Sequence, residues 1–299
     1  MPRPDHAPVF ILAPARSYST VSIAMLAQHP DLFGFPELSL FRTPDVGGML
    51  AGHEGQTSLQ AQLFRNHLTG VLRAVAYLNE GAQTTDAIDR AERWLAERSD
   101  WATVRLMDHL LDMIAPRTGI EKSPDSTSTD VALDACVDAY PNARLLHLTR
   151  HPVTTQQSMF EQARIWDGDG LGKMDRAALA WYLTHSRIAK KLASMPARQW
   201  LRVRAEDLLR NPGSTLRRVC EWLELPCDGG IVARMRHPED WCFADSGPDG
   251  NLLGGDSKFM TDPALRQIPE PGPVAFDPAW GMDPELVEQM TQLARFLGY

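Results

Sequence analysis

Val9-Phe10-Ile11-Leu12-Ala13-Pro14-Ala15-Arg16-Ser17-Tyr18-Ser19-Thr20-Val21-Ser22-Ile23-Ala24-Met25-Leu26-Ala27 is the stretch that decides the fold. Its first four residues are apolar, with β-branched and aromatic members, and read as a short buried strand. Pro14 breaks the strand, and Arg16-Ser17-Tyr18-Ser19-Thr20 makes a polar loop. Apolar positions resume over 21–27 as a helix. His29-Pro30 ends it, because the residue before a proline is pushed out of helical geometry. The chain therefore opens strand, polar loop, helix. A helix N-terminus carries free backbone N–H groups and a partial positive charge, so such a loop is a ready anion site. The hydroxyls of Ser17, Ser19 and Thr20 add donors, and Arg16 adds a bidentate fork. A Ser/Thr cap beside a solvent-facing arginine is the structural alternative, and this segment alone leaves both open.

The same alternation continues down the chain. Residues 43–58 read as a loop and 59–79 and 86–98 as helices, with Ile88, Ala91, Trp94 and Leu95 at helical spacing. Leu106, Leu110, Leu111 and Ile114 mark a helix over 104–115 that stops at Pro116. A short strand follows at 119–122, a helix at 131–139, and a strong strand at 143–149. Helices are expected at 154–164, 177–192 and 216–223, and a strand at 200–204. Residues 226–285 are rich in Gly, Pro and Asp and read as loops with little regular structure, before a closing helix over 283–297. Strands alternating with helices predict an α/β fold, three-layered, with a mostly parallel central sheet. The expected organisation is a single domain over 1–299 with a helical insertion at about 42–116.

Composition narrows the functional classes. The 299 residues are 43% hydrophobic and 23% charged, and 30 Lys+Arg against 38 Asp+Glu leave a formal net charge of −8. A chain this acidic lacks the broad positive field of nucleic-acid or anionic-membrane binders. No apolar run reaches 18 residues, and the apolar stretch at 9–13 is too short for a signal-peptide core. The expected location is cytoplasmic. Cys136, Cys220, Cys227 and Cys242 are scattered without zinc spacing and read as reduced thiols.

A second constellation is Arg150-His151-Pro152, directly after the 143–149 strand, with Ser158 eight residues beyond Arg150. Carboxyl ends of parallel strands are where open α/β sheets bind ligands. An arginine there, with a hydroxyl on the next helix, suits a phosphate monoester; a purely structural arginine is the plainer reading. The nucleotide loop G-x-x-x-x-G-K-[ST] is absent. Gly172-Lys173 has Asp167 and Met174 at the decisive positions, and Asp167-Gly168-Asp169-Gly170 lacks the later ligands of a calcium loop.

Together these segments resemble the bacterial sulfotransferases that use 3′-phosphoadenosine 5′-phosphosulfate (PAPS). Pro14–Thr20, with His29-Pro30 and Pro36-Glu37, is similar to their 5′-phosphosulfate loop. Tyr140-Pro141-Asn142-Ala143-Arg144, Arg150-His151-Pro152 and Ser158 resemble their 3′-phosphate motif. Glu121-Lys122-Ser123-Pro124 resembles their lysine-bearing strand end, and Arg204-Ala205-Glu206-Asp207-Leu208-Leu209 a later "YEDLL" segment. Gly254-Gly255-Asp256-Ser257-Lys258-Phe259 resembles the C-terminal loop that closes over the nucleotide. The resemblance implies a P-loop-like sulfotransferase fold and sulfuryl transfer from PAPS, leaving PAP, to a hydroxyl or amine of a small-molecule acceptor, with no metal. It implies that Arg16, Ser17, Tyr18, Ser19 and Thr20 hold the 5′-phosphosulfate. Lys122 then neutralises the bridging oxygen, Arg150 and Ser158 grip the 3′-phosphate, and Gly255 and Lys258 close the site. Glu37 is the implied general base, with His53 and His67 as substitutes. His151 is expected to orient the Arg150 turn.

Two positions depart from the family pattern. Tyr18 stands where glycine is usual: a tyrosine fits there if φ stays negative, with its ring free to stack or its hydroxyl to contact the acceptor, and a weakened cofactor site is the alternative. Ala205 replaces the tyrosine of "YED". Trp94, Trp101, Trp166 and Trp241 are candidates for an apolar acceptor wall, with core packing as the plainer role. Two further functions stand beside the favoured one: a catalytically degenerate sulfotransferase-like binding partner, and a kinase-like enzyme using ATP. The net charge favours a small or uncharged acceptor, such as a natural-product intermediate, over a polyanionic glycan. A carrier-bound acceptor and a homo-oligomer stay open.

Overall fold

The computed structural model of the chain describes residues 7–51, 58–162, 173–248, 250 and 254–299. Five strands, β1 (Val9–Leu12), β2 (Leu32–Gly34), β3 (Thr118–Glu121), β4 (Arg144–Thr149) and β5 (Trp200–Arg204), form one sheet in the order β2-β3-β1-β4-β5. Every pairing is parallel. Parallel sheets are covered by helices on both faces, so their inner strands are apolar throughout rather than alternating. β1 obeys this: all four of its residues are buried.

The order places β1 between β3 and β4. From β1 the chain first winds to one side of the sheet and later crosses to the other. That reversal is the switch point at which open α/β sheets leave a crevice outside their carboxyl ends. Helix α1 (Ser19–Leu26) starts at this crevice and is buried over its whole length.

Helices α2 (Val46–Ala51), α3 (Ser58–Glu80), α4 (Thr85–Ala96) and α5 (Thr103–Ile114) lie between β2 and β3 in the chain. α5 buries Leu106, Met107, Leu110, Leu111 and Ile114, a stripe of helical period. α6 (Asp130–Ala139) leads to β4, and α7 (Pro152–Gln162) and α8 (Lys173–Ala193) lead to β5. α9 (Ala205–Arg210), α10 (Pro212–Trp222), α11 (Gly229–Arg234), α12 (Ser257–Thr261) and α13 (Pro284–Leu297) complete the chain. α8 and α13 enclose a second apolar cluster around Trp181, Met290 and Ala294.

Several elements differ from expectation. α2 lies inside the expected 43–58 loop. The 226–285 segment carries α11 and α12, each started by an aspartate side chain, Asp228 or Asp256, that accepts a backbone N–H. Such six- and five-residue helices are set by their caps, and too few turns exist for a period to show. Strand β2 is likewise only three residues long, and its Gly34 lets α1 approach: an added Cβ would stand 2.9 Å from that of Ala27.

Candidate active site

Four neighbouring strands each deliver one residue to the same edge. Arg16 follows β1, Glu37 follows β2, Lys122 follows β3 and Arg150 follows β4. Residues far apart in the chain meet there because parallel strands all end on one side.

The loop after β1 is strained. Arg16 has φ 65° and Tyr18 φ 59°, both in the left-handed region. Tyr18 thus occupies the site without a negative φ, and its ring stacks. A non-glycine residue held there costs about 1–2 kcal/mol. The turn forces this conformation, and the Tyr18 ring is offset by packing: the Arg150 guanidinium lies 4.0 Å from its centroid. Tyr18 caps α1 with no side-chain hydrogen bond. The first-turn N–H groups of α1 thus stay available to an anion.

Around this turn the side chains interlock. Arg16 Nε donates to Ser158 Oγ at 3.1 Å, and Arg16 Nη1 pairs with the Asp256 carboxylate. Arg150 Nη1 donates to the Arg16 carbonyl at 2.5 Å. Lys122 Nζ donates to Thr20 Oγ1 at 2.9 Å and to the Glu37 carboxylate. Asp256 N–H donates to the same Thr20 hydroxyl at 2.9 Å. Burial lowers the pKa of both Arg16 and Arg150, and at Arg16 the nearby Arg150 guanidinium lowers it further, a like-charge contact of the kind an anion relieves. Among the described residues, two donors on this turn and on Arg150 stand buried without a partner, Ser17 Oγ and Arg150 Nε.

A cavity of about 780 Å3 opens at this edge. Arg16, Ser17, Tyr18, Ser19, Thr20, Glu37, Arg150, Ser158, Gly255 and Lys258 all line it, so nearly the whole set expected from the sequence converges. Lys122 reaches in from behind Thr20 and is only 2% exposed. Lys258 sits on the rim, 67% exposed and 3.0 Å from Glu161. Gly255 packs against Thr20, whose Cγ2 lies 3.0 Å from where a Cβ would stand.

Other candidates lie elsewhere. His67 Nδ1 is 2.8 Å from Asp125, and His67 does not line the cavity. His53 and Trp166 lie outside the described residues. The acceptor wall expected from Trp94, Trp101 and Trp241 does not form: none of them lines the cavity. Trp94 and Trp101 pack edge to face, at 5.7 Å, beside His109, and Trp241 donates to the Gly34 carbonyl at 2.8 Å. The His151 ring is buried edge-on to Tyr299, and the His151 backbone N–H donates to Glu206 Oε1 at 2.8 Å.

The sequence reading missed three contributors. Asp256 opposes Arg16, and Glu161 opposes Lys258. The segment Ile268–Gly272 closes the far side of the cavity, with Glu270 paired to Arg210 and, at 3.5 Å, to Arg204. The proline-rich composition of that strap marks a loop, and nothing in it announces a cavity wall.

The strand–loop–helix presents free backbone N–H groups beside basic side chains from adjacent strand ends, an arrangement that can hold an anionic group. The profile of the Sulfotransferase family matches residues 8–229, and the chain belongs to that family. The chain is similar in structure to the sulfotransferase domain from the curacin biosynthetic pathway, with a TM-score of 0.75, 20% identity and 98% of each chain covered. It is also similar to the sulfotransferase domain of the olefin synthase of Synechococcus PCC 7002, with a TM-score of 0.72, 25% identity, and 99% and 98% covered. No curated protein matches the sequence. The chain thus has the P-loop-like sulfotransferase fold, and family membership sets aside the kinase-like reading. No described helix is long and apolar enough to cross a membrane.

Proposed function

We propose that the protein moves a sulfuryl group from PAPS to a hydroxyl of a small-molecule acceptor by in-line displacement. The observation that carries this is the pair of buried, partnerless donors, Ser17 Oγ and Arg150 Nε, on residues lining one cavity. Buried polar groups are normally satisfied, so an acceptor-rich ligand belongs there. The donor set suits one with two anionic ends.

PAPS supplies the activated sulfuryl group. Arg16, Ser17 and the N–H groups at the start of α1 hold its 5′ end, and Arg150 with Ser158 holds its 3′-phosphate. Lys122 places positive charge where the leaving phosphate oxygen develops its own. Glu37 takes the acceptor's hydroxyl proton as the acceptor oxygen bonds to sulfur. Its carboxylate is aimed by Lys122, and its backbone is fixed by an N–H donated to the Gly254 carbonyl at 2.8 Å.

The likeness to an olefin synthase domain supports a second reading of the product. Sulfation there would prepare a hydroxyl as a leaving group for a later elimination, rather than end the pathway. An intact sulfate ester accumulating in the producing cell would speak against it.

The test is transfer of radiolabelled sulfate from PAPS to a panel of hydroxyl and amine acceptors, beside calorimetry with PAP. Transfer with micromolar PAP binding is expected. A chain that binds no PAP near millimolar concentration and transfers nothing is a degenerate member of its family.

A further inference from the structure

Three basic residues of the site each hold a carboxylate: Arg16 holds Asp256, Lys122 holds Glu37, and Lys258 holds Glu161. Glu37 has a task in the reaction, and the Lys258–Glu161 pair is too exposed to matter much. Asp256 is different. Its side chain is 25% exposed and that of Arg16 10%, so the pair is substantially shielded from water.

The backbone also determines where the Asp256 carboxylate stands. One oxygen, Oδ1, accepts the Phe259 N–H at 3.0 Å as the cap of α12. Its own N–H is tied to Thr20 Oγ1 at 2.9 Å, in the first turn of α1. The second oxygen, Oδ2, is thereby left facing Arg16. The loop is anchored further by Gly254, whose N–H donates to Thr69 Oγ1 at 3.1 Å and whose carbonyl accepts the Glu37 N–H. The aspartate is therefore built into the anion site.

We propose that Asp256 is a counter-ion that holds Arg16 in place of the donor's anionic end and so limits how tightly the donor binds. The inference rests on the PAPS reading above. Donor binding exchanges the Arg16–Asp256 contact for one between Arg16 and the 5′ end of the nucleotide. Asp256 is in this sense a positioning residue. It keeps a buried guanidinium paired and oriented while the site is open, and it takes Arg16 back as PAP leaves, which hastens product release.

Charge and cap are separable by substitution, because asparagine caps a helix about as well as aspartate. Calorimetry with PAP at constant ionic strength, with a thermal melt of each protein, compares wild type, Asp256→Asn and Asp256→Ala. Asp256→Asn is expected to melt somewhat lower than wild type, because Arg16 loses its counter-charge while the cap is kept, and to bind PAP about tenfold more tightly, the order expected of one charge-assisted contact. Asp256→Ala is expected to melt lower, through loss of the cap, and still to bind PAP more tightly. Equal or weaker PAP binding by Asp256→Asn, beside a wild type that binds, overturns the inference and leaves the PAPS reading standing. A wild type that binds no PAP overturns both. If the variants do not fold, a PAP-bound structure of the wild type decides. Arg16 turned from Asp256 to the 5′-phosphate is expected, and a retained Arg16–Asp256 contact overturns the inference.

Discussion

At the scale of single residues, the chemistry concentrates on Glu37. Its carboxylate shares Lys122 with Thr20 and is 28% exposed, within reach of both the cavity and the buried ammonium. Glu37→Gln is expected to lower kcat by about 10²–10⁴-fold, the range of a lost general base, while PAP binding changes by less than about threefold. A kcat within about tenfold of wild type takes the base role from Glu37. The residue types of the site were legible in the sequence, and the roles given to Glu37 and Lys122 came from the resemblance to the sulfotransferase family. A hydroxyl-rich loop between strand and helix, and arginine and lysine after apolar runs, are visible in one dimension. The left-handed backbone at Tyr18 was not, because an aromatic side chain argues against that conformation and only the packed loop and the Arg150 stack enforce it.

At the scale of elements, the placement of Glu37 depends on two glycines. A Cβ at Gly70 on α3 would stand 1.8 Å from the Glu37 carbonyl oxygen, and one at Gly254 would stand 3.0 Å from the Gly70 Cα. Helix α3, the segment after β2 and the C-terminal loop thus touch backbone to backbone beside the site. Gly70→Ala is expected to destabilise the protein by roughly 3 kcal/mol or more, because backbone must move to admit the methyl group, and to lower kcat with it. Thermal unfolding measures the first effect. Gly213→Ala on α10 is the control: its nearest neighbour is the flexible Arg217 side chain at 3.6 Å, so little change is expected. A Gly70→Ala protein as stable as that control removes the close packing from the account. The long helices and the central strands follow from apolar period, while β2, α2, α11 and α12 are too short to show one.

At the scale of the whole molecule, buried titratable groups behind the site set how stability depends on pH. Burial raises the Glu121 pKa from 4.5 to about 7, against the opposing hydrogen bond from Ser123. The unfolded chain ionises first as pH rises, so this contribution to stability is full below pH 4.5 and is lost as pH climbs to about 7. Burial lowers His185 from 6.5 to about 3, beside His147, which is lowered well below its ordinary value. That contribution is full above pH 6.5 and is lost as pH falls towards 3. Urea unfolding of Glu121→Gln is therefore expected to gain on wild type between pH 5 and pH 8. A difference that does not grow with pH shows that Glu121 does not carry this dependence. The formal net charge of −8 does not describe the cavity edge, where Arg16, Arg150 and Lys258 stand among the carboxylates of Glu37, Glu161 and Asp256. The sequence by itself determined the strand–loop–helix and the α/β class, because strand and helix periods and loop chemistry act over a few residues, and its ordered motifs carried the family and most of the candidate site residues as a resemblance. Only the tertiary structure decided that Asp256 would face Arg16 from 240 positions away, that two glycines would clamp Glu37, and that the tryptophans would pack elsewhere. Those contacts depend on the β2-β3-β1-β4-β5 order, and long-range packing leaves no local pattern in the chain.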